Sequence, residues 1–126
     1  MLSPNRADVS KAGTEDREME MPREACMMRI FTCERARGSH RALFEDIVRK
    51  ARDDGLAGAT VLRGPMGFGS SSRIHNANIL DLSSNLPLVI EIVDSEEKLR
   101  AFFQSIAGMK EIGLVTMEKV EVLHYG

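Results

Sequence analysis

The amino-acid sequence predicts an α+β domain of the ferredoxin-like class, with the order βαββαβ: a four-stranded antiparallel sheet carrying two helices on one face. Three observations support this fold class. The length of 126 residues suits one domain with a real core. Four short segments are rich in the aliphatic and β-branched residues typical of strands. Two further segments repeat apolar residues at helical spacing and alternate with the strands as two successive β-α-β units.

The first β-α-β unit runs from residue 25 to residue 64. Residues 25–33 (ACMMRIFTC) predict a strand, and residues 58–64 (GATVLRG) predict a second, shorter one. Between them, apolar residues recur at helical spacing: Leu43, Phe44, Ile47, Val48 and Ala51. We expect Ser39 to cap this helix and Gly55 to end it, because serine favours the start of a helix and glycine the position after its last turn.

The second unit begins at Pro87. Residues 87–93 (PLVIEIV) predict a buried strand, one face of which holds Leu88, Ile90 and Ile92. Ser95 is the expected N-cap of the second helix, whose apolar stripe contains Leu99, Phe102, Phe103 and Ile106. Residues 114–125 alternate in polarity and predict the last strand.

The sheet face opposite the two helices also carries apolar side chains. Val89 and Val93 alternate with the core residues of their strand, so they point away from the helices. An apolar face of this kind is commonly covered by another protein chain. The sequence therefore predicts an oligomer.

The net charge of −2 comes entirely from the first 24 residues, which hold four Lys or Arg and six Asp or Glu. Residues 1–24 show no apolar period and predict a disordered tail, whereas residues 25–126 form the domain. That domain is neutral and lacks the basic surface of a general nucleic-acid binder, so we expect no nucleic-acid partner. No apolar run approaches the roughly 20 residues of a membrane span, and no signal-peptide core begins the chain, so we expect a cytoplasmic protein that is not embedded in a membrane.

The sequence completes no catalytic, cofactor or metal motif. GFGSSS (residues 67–72) resembles the dinucleotide-binding fingerprint, but no clear helix follows to meet a pyrophosphate. GPMGFGSS (residues 64–71) has Ser70 where a P-loop needs lysine. The three histidines lie too far apart for a metal-ligand spacing: His40, His75 and His124. We therefore expect no cofactor, no metal and no catalytic residue.

The stretch RGPMGFGSSSRIH, residues 63–75, predicts a binding loop. Its glycines let backbone N–H groups approach a ligand, and its arginines supply planar forks for phosphate or carboxylate. The candidate ligand- or partner-binding residues are Arg63, Gly64, Gly67, Gly69, Ser71, Arg73 and His75. A second candidate anion site, at Ser39 and Arg41, lies in the basic segment RARGSHR just before the first helix, whose N-terminus favours anions.

Three long motifs resemble one known family. They are ARDDGLAGATVLRGPMGFGSSSRIH (residues 51–75), NLPLVIEIVDSEEKL (residues 85–99) and GLVTMEKVEVLHY (residues 113–125). Together they resemble the PII-like family designated domain of unknown function 190, over about residues 28–125. The resemblance implies a ferredoxin-like fold related to the PII nitrogen-signalling proteins. It further implies a homotrimer, adenine nucleotides bound in clefts between subunits, and a loop over residues 63–85 that binds a target protein.

The leading hypothesis is therefore a non-enzymatic, PII-like regulatory protein that senses a small anionic ligand. Two alternatives remain open. One is a small hydrolase or transferase acting on a phosphorylated metabolite, with His75 as general base and Asp81 as a nominal orienting carboxylate. The other is a structural subunit of an oligomer. Binding without turnover separates the regulator from both.

Overall fold

The computed structural model describes residues 21–71, 73–77 and 85–126. Two helices are present in these ranges, α1 (Leu43–Asp53) and α2 (Glu96–Ile106). Six strands accompany them, in chain order β1 (Glu24–Cys33), β2 (Ala59–Arg63), β3 (Met66–Gly67), β4 (His75–Asn76), β5 (Pro87–Asp94) and β6 (Val115–Glu121).

The main sheet has four strands in the order β2-β5-β1-β6, and every neighbouring pair is antiparallel. The N-terminal strand β1 is therefore central, with β5 on one side and β6 on the other. Both β-α-β units cross over to non-adjacent positions in this sheet. The architecture is ferredoxin-like and confirms the predicted α+β fold class.

The helices cover one face of the sheet, and the core lies between the two layers. From the sheet it contains Met28, Ile30, Ile90 and Ile92, and from the helices Leu43, Ile47, Leu99, Phe102 and Ile106. Leu88, Ile90 and Ile92 are all buried, as predicted from their period of two. Burying an aliphatic side chain of this size contributes about 1.5–3 kcal/mol, so this layer provides most of the stabilisation of the fold.

Helix α1 begins later than its predicted cap. Its N-cap is Ala42, whose side chain forms no capping bond, so the prediction that Ser39 caps the helix is wrong. The reason is a β-bridge between Arg37 and Ala42, which turns the chain back before the helix starts. The predicted stop is confirmed, since Gly55 follows the helix with φ of +81°, a conformation that glycine adopts without strain.

The second helix begins where predicted, because the Ser95 hydroxyl accepts a hydrogen bond of 3.2 Å from the amide of Lys98. The last strand, however, ends at Glu121 and not at Tyr125. After Glu121 the amide of Val122 donates to the carbonyl of Arg23 at 2.7 Å, and the Tyr125 hydroxyl donates to the carbonyl of Ala57 at 2.8 Å. Residues 122–125 thus form a C-terminal strap that reaches the start of β2.

The face of the sheet away from the helices, called here the open face, has a charged centre. Arg29 Nε lies 3.0 Å from a carboxylate oxygen of Glu91, and Arg29 Nη1 lies 3.4 Å from one of Glu118. The hydrogen bond that Arg29 donates to Glu91, together with the charge of Glu118, outweighs some desolvation and raises the pKa of Arg29 above its ordinary value. Val89 and Val93 are half-buried on the same face.

Candidate functional site

A long loop, residues 64–86, connects β2 to β5, and its two ends lie side by side. Arg63, the last residue of β2, pairs with Leu88 in β5. The amide of Gly64 then donates to the carbonyl of Pro87 at 2.9 Å. The sheet therefore fixes both ends of the long loop at one end of β2 and β5. Residues 72 and 78–84, including Asp81, lie outside the described residues.

The described part of the long loop contains a short two-stranded ribbon. Strand β3 pairs with β4 in antiparallel fashion, with Met66 opposite Asn76 and Gly67 opposite His75. The amide of Ala77 extends the pairing by donating to the carbonyl of Pro65 at 2.7 Å. The sequence predicts a flexible glycine-rich loop here, because each strand is too short to show a period. The ribbon holds candidate residues from both sides of the loop next to each other.

Two of the candidate glycines pack against the ring of Pro87. A Cβ added to Gly64 or to Gly67 would lie 3.1 Å from Pro87 Cγ, closer than ordinary van der Waals contact. A Cβ on Gly69 would meet no atom within 4 Å. Among the described glycines, only Gly55 has a positive φ. The close approach of Gly64 and Gly67 to Pro87 therefore gives those two glycines a role within the fold.

Arg63 forms an ion pair at the base of the long loop. Its Nη2 atom lies 2.9 Å from Oε2 of Glu34, the first residue after β1. Glu34 was not among the candidates from the sequence, because no local pattern reports a contact between residues so distant in the chain. The charge of Arg63 is thus already compensated, and an anion that binds it must compete with this carboxylate.

Arg73 and its neighbours form the exposed side of the ribbon region. The amide of Arg73 donates to the hydroxyl of Ser71 at 3.4 Å, and the guanidinium forms no ion pair with any residue in the described ranges. Three apolar side chains of the same ribbon region are more than half exposed: Met66 (59%), Phe68 (69%) and Ile74 (57%). These three were not among the residues predicted from the sequence, although large apolar residues between glycines and serines are themselves a signal. The ribbon region therefore exposes both apolar side chains and a cation.

The His75 side chain is half-buried in β4. Within residues 21–71, 73–77 and 85–126 it forms no hydrogen bond or ion pair with a carboxylate that could orient its imidazole. In a Ser-His-Asp arrangement a carboxylate orients the histidine, and the nominal one, Asp81, is not among the described residues. In the same ranges, no three His, Cys, Asp or Glu side chains lie close enough to hold a metal ion.

The second candidate anion site holds an internal carboxylate. Arg41, one of its two residues, has Nη1 3.5 Å from Oδ1 of Asp46, in the first turn of α1, while Ser39 is exposed. Partial burial acts to raise the pKa of Asp46, but hydrogen bonds from the amides of His40 and Arg41 and the Arg41 guanidinium outweigh it and lower that pKa. Gly38 makes room for this carboxylate, since a Cβ there would overlap Asp46.

Comparisons with known proteins place the chain in a family. A family model described as "Uncharacterized ACR, COG1993" (DUF190) matches residues 25–122. A UPF0166 protein of Aquifex aeolicus is 39% identical over 98 residues, covering 78% of this chain and 92% of that protein. A second UPF0166 protein of the same organism is 35% identical over 96 residues, covering 76% and 94%. None of the helices in the described ranges is long and apolar enough to cross a bilayer.

The fold also matches a solved structure. CPII from Thiomonas intermedia K12, in a structure bound to ADP and bicarbonate, superposes with a TM-score of 0.57 at 16% sequence identity, covering 82% of this chain and 92% of CPII. At this identity the likeness concerns the fold. The match of the family model over nearly the whole domain shows that this chain belongs to the DUF190 family.

Proposed function

We propose that this chain is a non-enzymatic, PII-like regulatory protein of the cytoplasm. It binds a small anionic ligand, with an adenine nucleotide as the first candidate, at clefts between the subunits of a homotrimer. It docks a target protein through the long loop, the region assigned to binding from the sequence as residues 63–85. Its binding residues are those of the loop base and the ribbon, with no catalytic group among them.

The observation that carries this proposal is the surface of the ribbon. Met66, Phe68 and Ile74 are exposed in the same ribbon region as Arg73, and residues 63–77 contain two arginines and no Asp or Glu. Large apolar side chains beside arginine are enriched where proteins bind each other. The complementary target surface is an apolar depression bordered by carboxylates.

The sheet topology supports the location of the ligand clefts. β2 and β6 are the two edge strands, so subunits of a closed ring that bring their open faces together would also be neighbours along these edges. Arg63 ends β2, and its guanidinium would then face the next subunit. CPII, which shares this fold, is bound to ADP, a ligand whose phosphates suit an arginine fork. ADP is accordingly the first ligand to test.

Calorimetric titration of the full chain with ADP, together with light scattering, tests the proposal. We expect a mass of three chains of 14.0 kDa and saturable binding, with ADP recovered chemically unchanged. Arg63→Gln should weaken binding, whereas Arg52→Gln, an exposed cation at the end of α1, should not. A monomeric mass would refute the trimer, and a trimer that binds neither ADP, ATP nor AMP would refute the nucleotide.

His75→Ala separates this regulator from a hydrolase. A docking loop keeps most of its ligand affinity without the imidazole, because the proposed contact with the anion is the Arg63 guanidinium and not His75. An enzyme using His75 as general base would lose on the order of 10²–10⁴ in rate while still binding. Turnover in the wild-type chain that disappears in His75→Ala would replace the regulator with the enzyme.

A further inference from the structure

Both ends of the long loop are attached to the same short segment that follows β1. At the entrance, Arg63 pairs with the Glu34 carboxylate at 2.9 Å. At the exit, the Glu34 amide donates to the carbonyl of Leu86 at 2.8 Å, and the Arg35 amide donates to Oδ1 of Asn85 at 2.7 Å. Movement of Glu34 is therefore transmitted to both ends of the long loop.

The bonds to this segment differ in how easily a ligand can break them. The contacts at Asn85 and Leu86 use backbone groups of Glu34 and Arg35. The contact at Arg63 is an ion pair in which 62% of the arginine side chain and 30% of the glutamate side chain are exposed. Exposed ion pairs are weak, and a guanidinium fork engaged by one carboxylate is not free to bind a phosphate in the same geometry.

We propose that Glu34 is an internal competitor that occupies Arg63 and holds the base of the long loop, and that an anionic ligand binding Arg63 displaces it. The ligand part of this proposal rests on the function proposed above. In the resting state Glu34 adds a side-chain attachment to the entrance of the loop, beside its backbone pairing with β5. When an anion takes Arg63, the Glu34 carboxylate is released, and the entrance loses this attachment and moves more easily. Because binding and release are linked, a change at Glu34 that breaks the ion pair beforehand increases anion affinity at Arg63.

We call the ion pair between Arg63 and Glu34 the latch. Two substitutions of Glu34 separate the effect of this latch from simple charge repulsion between Glu34 and an anionic ligand. Glu34→Gln removes both the ion pair and the negative charge. Glu34→Asp keeps the charge but withdraws the carboxylate by one methylene, out of reach of Arg63. Glu97→Gln, on the exposed first turn of α2, is the matched control for loss of one acidic charge.

Hydrogen exchange measures the latch without any ligand. The amides of Gly64 and Ala77, which bond to the carbonyls of Pro87 and Pro65, report on the base of the loop and on the ribbon. In Glu34→Gln and Glu34→Asp both amides should exchange about two- to fivefold faster than in the wild type, the effect expected from losing an exposed ion pair. Exchange at the wild-type rate in both variants would overturn the latch, regardless of how tightly the variants bind ADP.

Titration with ADP then measures the competition. Both Glu34 variants should bind ADP about two- to fivefold tighter than the wild type and the Glu97→Gln control, and Arg63→Gln should bind it more weakly. Tighter binding in Glu34→Gln alone would show that charge, not the latch, acts, and would overturn the proposal. If ADP binds none of the proteins, the nucleotide part of the proposed function fails, and the exchange rates alone decide the latch.

Discussion

Arg29 Nε lies 3.0 Å from Oε2 of Glu91, in the middle of the open face of the sheet. The same guanidinium reaches Glu118 at 3.4 Å, so one cation on β1 joins carboxylates on both neighbouring strands. These charges lie among the half-buried Val89 and Val93, on the face expected to meet other subunits. An interface on this face would bury a charge cluster that is already paired.

We therefore expect Arg29→Ala to destabilise the protein and to dissociate the proposed oligomer. Without the guanidinium, Glu91 and Glu118 remain on one face with like charges and no partner between them. Thermal unfolding and light scattering of the variant give the result. Arg52→Ala is the control, because that cation is exposed and pairs only with the adjacent Asp53 in the part of the chain described. Equal melting temperatures for the two variants would contradict the prediction.

The contact between Gly67 and Pro87 gives a second prediction. Valine at position 67 would bring its Cβ to 3.1 Å from Pro87 Cγ and push the ribbon away from the sheet. We expect Gly67→Val to cost about 1–3 kcal/mol of unfolding free energy, as in other overpacked positions. Gly69→Val, which has open space around it, should stay within about 0.5 kcal/mol. Chemical denaturation compares the two, and equal costs would show that the contact has no role in stability.

Asp46 makes stability depend on pH in the acid range. Burial pushes its pKa upward, but bonds from the amides of His40 and Arg41 and from the Arg41 guanidinium bring it below the ordinary value of about 3.9. A carboxyl with a lowered folded pKa contributes stability that is present above about pH 3.9 and is lost as pH falls through the folded pKa. Asp46→Asn should therefore melt below the wild type at pH 7, and the difference should shrink as the pH falls below about 4.

Melting curves measured from pH 2.5 to pH 7 on both proteins test this dependence. Asp53→Asn serves as the control, because the Asp53 side chain is 71% exposed. For this control, the difference in melting temperature from the wild type should not shrink as the pH falls. A difference for Asp46→Asn that stays constant across the whole range would contradict the assignment.

The N-terminal boundary of the domain can be tested by two truncations. β1 begins at Glu24, and Arg23 Nη2 lies 2.6 Å from Glu121, while the Arg23 carbonyl accepts from Val122. Removing residues 1–20, the outer part of the disordered tail predicted for residues 1–24, should leave the melting temperature and the oligomer mass unchanged. Removing residues 1–24 should lower the melting temperature, because it also takes away the anchor of the C-terminal strap. A large loss on removing residues 1–20 alone would refute the predicted tail.

The features that were predicted correctly from the sequence depend on interactions between residues close together in the chain. Leu88, Ile90 and Ile92 could be assigned to one face, because a half-buried strand requires a period of two. Ser95 could be assigned as a cap, because its partner Lys98 lies three residues away. Ser39 was assigned wrongly because the bridge between Arg37 and Ala42 delays the helix, and no propensity reports that bridge.

The candidate site was predicted less completely, because its contacts join distant parts of the chain. The choice of Arg63 and of Gly64 and Gly67 as special positions followed from residue type. Their partners in the fold, Glu34 and Pro87, could not be inferred without knowing which strands are neighbours. Arg73 is exposed and forms no ion pair within the described ranges, and its part in binding stays a prediction.

The central position of β1 has a consequence for the newly made protein. This strand leaves the ribosome first, yet both of its neighbours, β5 and β6, are synthesised last. Arg23, the residue before β1, donates a hydrogen bond to Glu121 at the end of β6, and these two residues are 98 positions apart in the chain. Contacts of such long range slow folding, because a large loop must close before the pairing stabilises it. Until β5 emerges, β1 exposes two unpaired edges and an apolar face, and during that interval this family member is most vulnerable to aggregation and most dependent on chaperones.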